Sequence, residues 1–108
     1  MRATRVRSGQ DPDQQARALG SALFFMPFIT ADGLIEAYAR YNRVVREVAA
    51  DTGAILIAGE DSIPGDAAHF ADSVHFTDAG SQAMADRVSR ALIARLKSSN
   101  NWHSEAVR

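Results

Sequence analysis

Ala54-Ile-Leu-Ile-Ala58 is an unbroken apolar, β-rich run with no polar alternation, set between two stretches of helical periodicity. A run of this kind is the pattern of a strand covered on both faces, as in a parallel sheet with helices above and below. Upstream, Thr30 or Asp32 can cap a helix in which Leu34, Tyr38, Tyr41, Val45 and Val48 fall on one face, and Gly53 ends it. Downstream, a loop over 59–71 contains Pro64-Gly65, and Thr77 then caps a helix. The stripe of that helix is Ala79, Ala83 or Met84, Val88, Ala91 or Leu92, and Leu96. Helix, strand, loop, helix predicts an α/β fold: the closing portion of a three-layer α/β/α sandwich with a parallel sheet.

A buried parallel strand needs neighbours on both edges, and the chain offers one further candidate, Ala22–Met26, followed by Pro27. The expectation is therefore an incomplete sandwich whose uncovered faces and open strand edges leave it partly unfolded, oligomeric or insoluble. The remaining organisation is simple. Residues 1–20 read as a polar N-terminal segment, with a possible short helix opened by Asp11-Pro12-Asp13, running through Leu19 and stopped by Gly20. Residues 21–97 form the body, and 98–108 a polar tail in which Trp102 and His103 have no assigned role.

Charge excludes more than it suggests. With 12 basic and 13 acidic residues the net charge is −1, which argues against nucleic acid or an anionic membrane as partner. Arg2, Arg5 and Arg7 read as a solvated terminus. The absence of cysteine removes disulfides, thiol catalysis and thiolate-bound zinc, and leaves the compartment open. The longest apolar run, Ala22–Ile29, is broken by Pro27 and far shorter than the ~20 residues of a membrane span. The opening Met1-Arg-Ala-Thr-Arg-Val-Arg7 is not followed by an apolar stretch, so it does not read as a secretion signal.

The chemistry concentrates in Asp72-Ser-Val-His75, just before the last helix. An Asp-x-x-His turn can bring the carboxylate to Nδ1 of the imidazole and leave Nε2 facing a pocket. As a bare pattern it more often marks a turn cap beside a surface imidazole, and Phe76, Thr77-Asp-Ala-Gly80 and the helix that follows reverse that balance. Asp66-Ala-Ala-His69 repeats the spacing six residues earlier. Two carboxylates and two imidazoles in one loop are also candidate ligands for zinc or manganese. Outside that possibility His69 reads as a loop side chain. Glu60 and Asp61, at the carboxyl end of the predicted strand, stand where open α/β sheets place ligand-binding groups.

Phe70-Ala-Asp-Ser-Val-His-Phe-Thr-Asp-Ala-Gly-Ser81 resembles the last block of the SGNH hydrolases, the GDSL-type esterases and lipases, and the likeness extends more weakly over 32–96. The resemblance implies the flavodoxin-like sandwich of that family and a serine acyl-enzyme mechanism without cofactor or metal. Its substrates would be carboxylic esters, acyl or acetyl groups on small molecules, lipids or glycans. It maps two members of a Ser-His-Asp triad onto this chain: His75 as general base and Asp72 as the carboxylate that orients it.

The family's Gly-Asp-Ser nucleophile and its glycine and asparagine oxyanion donors have no counterpart here. Ser21 follows Gly20 but lacks the Asp, Ser73 and Ser81 are local to the loop and helix start, and Asn42 lies mid-helix. Those blocks are expected upstream of Met1, which makes this chain the C-terminal part of such an esterase, inactive alone. Two alternatives stand beside it: a non-catalytic α/β module that binds a partner chain, and a small metal-binding domain on the doubled Asp-x-x-His.

Overall fold

The computed structural model describes residues 1–106, with side chains up to Ser99. The side chains of Trp102 and His103 lie outside the described residues. Regular structure consists of α1 (Pro12–Phe25), α2 (Ala31–Thr52), a 3-10 turn (Glu60–Ser62) and α3 (Asp78–Ala106). None of the three is long and apolar enough to cross a membrane.

The predicted α/β/α sandwich with a parallel sheet is corrected by this architecture: among the described residues there are helices and no strand. Among the same residues, Phe70 and Phe76 form an isolated antiparallel β-bridge. The reason lies in pairing. An apolar run becomes a strand only when a neighbouring segment takes up its N–H and C=O groups. The second strand candidate is unavailable for this, since its residues up to Phe25 lie in α1. Ala54–Ala58 is left in irregular backbone, with Ile57 C=O accepting from the Met1 amino group at 3.0 Å.

Helix termini follow the local sequence closely. The Asp11 carboxylate accepts from the N–H groups of Asp13 and Gln14 at 3.0 and 3.2 Å, with Pro12 in the first turn. Thr30 caps α2 by accepting from Gly33 N–H at 3.0 Å, and Gly53 closes it in the left-handed region at φ 70°. At the start of α3, Gly80 N–H donates to Thr77 Oγ1 at 3.2 Å. The exception is Gly20, which does not stop α1. A glycine in a helix interior costs only about 1 kcal/mol, and continuing the helix buries Ala22 beside Ala18.

Two small cores result. Val6, Ala18, Ala22 and Leu34 form one, where α1 packs on α2; Ala3, Ile63 and Phe70 form the other, against Phe76, Ala83 and Met84 at the start of α3. Each core takes one residue from the N-terminal segment, which is therefore a structural strap and not a solvated terminus. Asn42 holds that strap at two points: Arg2 N–H donates to its Oδ1 at 2.9 Å, and its Nδ2 donates to Arg2 C=O at 3.0 Å. The Arg7 side chain is mostly buried, donates to the Thr4 and Asp61 carbonyls, and has its pKa lowered by that burial.

The radius of gyration is 17.4 Å, against about 13 Å for a compact domain of this length. Tyr41 and Val48, both on the predicted apolar face of α2, are half exposed, and so are Val44 and Ile55. With Val45, Leu56 and Ile57 they line an open apolar groove of 540 Å³ between α2 and the 54–57 segment. Apolar surface on this scale favours association. The purified chain is expected to elute in size-exclusion chromatography well above its 11.7 kDa mass, and Val44→Lys with Val48→Lys should shift it toward monomer. A compact monomer with one sharp denaturant transition would contradict this.

Candidate active site

The 70–76 loop is built as a closed turn on the second core. Phe70 is fully buried, its ring lies 5.0 Å from that of Phe76, and Ala71 N–H donates to His75 C=O at 2.8 Å. Thr77 N–H then donates to His69 C=O at 3.1 Å, so the loop joins the start of α3 without slack.

Inside this turn Asp72 is shared between backbone and imidazole. Its Oδ1 accepts from the N–H groups of Val74 and His75, at 2.8 and 2.7 Å, and its Oδ2 lies 2.7 Å from His75 Nδ1. The two backbone N–H groups, His75 first, and then the imidazole hold the Asp72 carboxyl well below the usual range, at about 2. It is thus ionised at neutral pH and can accept the Nδ1 proton. The rest of the ring projects outward: the His75 side chain is 77% exposed. An ionised carboxylate can only accept, so Nδ1–H is its donor, and in the neutral ring Nε2 is then the nitrogen without a proton, the tautomer a general base requires.

A titration prediction follows from the same bonds. The Asp72 carboxyl carbon is expected to titrate by NMR near 2, below its ordinary 3.8. Because its pKa is depressed on folding, Asp72 contributes stability that is fully present above 3.8 and is lost as pH falls through about 2. A midpoint at the ordinary value would show that the loop bonds do not persist in solution.

Asp66 and His69 form a similar unit, with both bonds on one carboxylate oxygen. Asp66 Oδ1 accepts from His69 N–H at 3.0 Å and lies 2.7 Å from His69 Nδ1, and the imidazole bond is the first cause of the lowered Asp66 pKa. The difference is access. His69 is 25% exposed, and its backbone carbonyl backs onto Gly80. The two pairs do not converge: among the described residues no three His, Cys, Asp or Glu side chains are grouped to hold a metal ion.

The other predicted residues are placed away from this chemistry. Glu60 is paired with Arg46 at 2.6 Å, and Asp61 lies 3.8 Å from Arg7 Nε. Both line a 410 Å³ cleft with Arg2, Tyr38 and Asn42, and neither Asp72 nor His75 borders it. No serine hydroxyl bonds to the His75 ring among the described residues; its one bond is to Asp72. Ser73 is buried, and its N–H donates to Ser21 Oγ at 2.8 Å. That contact joins residues 52 positions apart and carries no sequence signal.

No protein-family model, curated protein or solved structure matches this chain. A functional reading therefore rests on residues 70–81 and on the geometry of their side chains.

Proposed function

We propose that this segment supplies the base and the orienting carboxylate of a Ser-His-Asp ester hydrolase of the SGNH kind. The observation that carries the reading is the Asp72 carboxylate 2.7 Å from His75 Nδ1, on a ring otherwise open to solvent. In such a site Nε2 takes the proton of a serine hydroxyl as its oxygen attacks the ester carbonyl, and the carbonyl electrons move onto oxygen. Collapse of that intermediate expels the alcohol, which receives the proton from Nε2; water then repeats the sequence on the acyl-enzyme. Asp72 accepts from Nδ1–H throughout and stabilises the imidazolium while it exists. The substrates are carboxylic esters, with acyl or acetyl groups on lipids or carbohydrates. In this reading the nucleophile and the oxyanion-hole donors are supplied by sequence beyond these 108 residues.

The reading predicts that the purified chain is inert toward p-nitrophenyl acyl esters, because an Asp-His pair without a hydroxyl to activate lacks the triad's contribution, of order 10⁶ in turnover. Robust hydrolysis that depends on His75 would contradict it. A second reading, a non-catalytic module that binds a partner chain, is favoured by the exposed groove of Tyr41, Val44, Val48 and Ile55. Solubilisation of the chain by one stoichiometric partner, with no effect of His75→Ala, would select it.

A further inference from the structure

Asp72 and His75 bind each other, but their loop is held through Ser73, which is 8% exposed. Its N–H donates to Ser21 Oγ at 2.8 Å, and its C=O accepts from Arg5 N–H at 3.1 Å and from the Thr4 hydroxyl at 3.3 Å. These partners come from two elements distant in sequence, α1 and the N-terminal strap. We infer that Ser21 is a positioning residue for the Asp72–His75 pair, its hydroxyl oxygen fixing the Ser73 peptide and through it the aim of the Asp72 carboxylate. The catalytic consequence rests on the hydrolase reading; the positioning does not.

Planar peptide units carry the constraint from Ser21 to Asp72. Ser73 N–H belongs to the same planar peptide unit as Asp72 C=O, so a bond at that N–H restricts rotation about the Asp72 backbone. Ser73 C=O belongs to the next unit, whose N–H is that of Val74, and this N–H donates to Asp72 Oδ1 at 2.8 Å. Two consecutive peptide planes are thus fixed from outside the loop, and the carboxylate is bound to the second. Position on α1 supplies the rigidity. Ala18 and Ala22 are buried against α2, and Ser21, three residues after Ala18, lies on the flank of that face. A helical serine can turn its hydroxyl to solvent or to a preceding carbonyl of its own helix; the oxygen of this one accepts from a loop 52 positions away. Had α1 ended before Gly20, no element would present that oxygen to Ser73.

The test is nitrogen NMR of the His75 ring in the full chain above neutral pH, with amide exchange at Ser73 and circular dichroism as a control for folding. The intact chain should show His75 mainly as the Nδ1–H tautomer. Ser21→Ala should move the population toward Nε2–H and speed Ser73 exchange about tenfold, with helix content unchanged, while Ser21→Thr restores both. Thr4→Val, which removes one of the two bonds to the second plane and leaves that from Arg5 N–H, should act in the same direction to a smaller extent. A folded Ser21→Ala with unchanged tautomer ratio and unchanged exchange overturns the inference. Should Ser21→Ala fail to fold, amide exchange in the intact chain decides, and a Ser73 N–H that exchanges as fast as an unbonded loop amide overturns the inference equally. These readouts need no ester turnover, so failure of the hydrolase reading would show separately, as activity that survives His75→Ala in a nucleophile-bearing chain.

Discussion

In a longer chain where this segment follows a Gly-Asp-Ser nucleophile, His75→Ala is expected to abolish ester turnover, and Asp72→Asn to lower it by up to ~10⁴ without unfolding the loop. The geometry explains why the two substitutions differ. Asp72 Oδ1 serves the backbone, accepting from Val74 and His75 N–H, while Oδ2 serves the imidazole. Asparagine keeps an oxygen for the backbone pair, so the turn survives. Its amide NH₂ then faces Nδ1, which must become the acceptor, and the proton moves to Nε2. A ring protonated at Nε2 cannot take the proton of a hydroxyl. Turnover by Asp72→Asn within tenfold of the parent would show that the carboxylate does not set the tautomer.

Gly80→Ala is expected to destabilise the protein by ~2 kcal/mol, lowering its thermal midpoint by about 10 °C. The sign is opposite to that of an ordinary helix position, where this exchange is worth about 1 kcal/mol in stability. Gly80 lies in the first turn of α3 with the His69 carbonyl directly over it. An added Cβ would overlap that oxygen and approach Phe76 Cδ1 to 2.9 Å. The His69 carbonyl cannot simply retreat, since it accepts Thr77 N–H at 3.1 Å and thereby joins the loop to the helix. Displacing it shifts Phe76 and, with it, the loop that carries His75. A Gly80→Ala variant that melts at or above the parent temperature would show that the helix start and loop are loosely joined.

What could be read in advance was local. Thr30, Gly53 and Thr77 announce helix ends because capping involves residues three or four apart. The Asp72–His75 bond was legible for the same reason, being closed within one turn. The strand was not. Ala54–Ala58 carries strand-forming side chains, but strand formation also needs a paired neighbour, and no local pattern reports whether one is present. Gly20 misled in the other direction: a helical glycine costs about 1 kcal/mol, which burial of Ala22 against α2 together with the continued helix offsets. The strap over residues 1–7 was hidden because its buried residues, Ala3 and Val6, are small and stand among arginines and threonine. The role of Ser21 was invisible for want of any local signal.

The doubled Asp-x-x-His provides the most direct test of the account. His69 and His75 make the same bond to a carboxylate at the same 2.7 Å, and differ in exposure and in their connection to the helix start. The decisive measurement is the turnover of His69→Ala and His75→Ala side by side in a nucleophile-bearing chain, with and without added zinc or manganese. His69→Ala should keep near-parental activity, His75→Ala should have none, and neither should respond to metal. Equal losses in the two variants, or activity that follows the metal, would contradict the assignment of His75 as the base of a hydrolytic site and Asp72 as its orienting carboxylate.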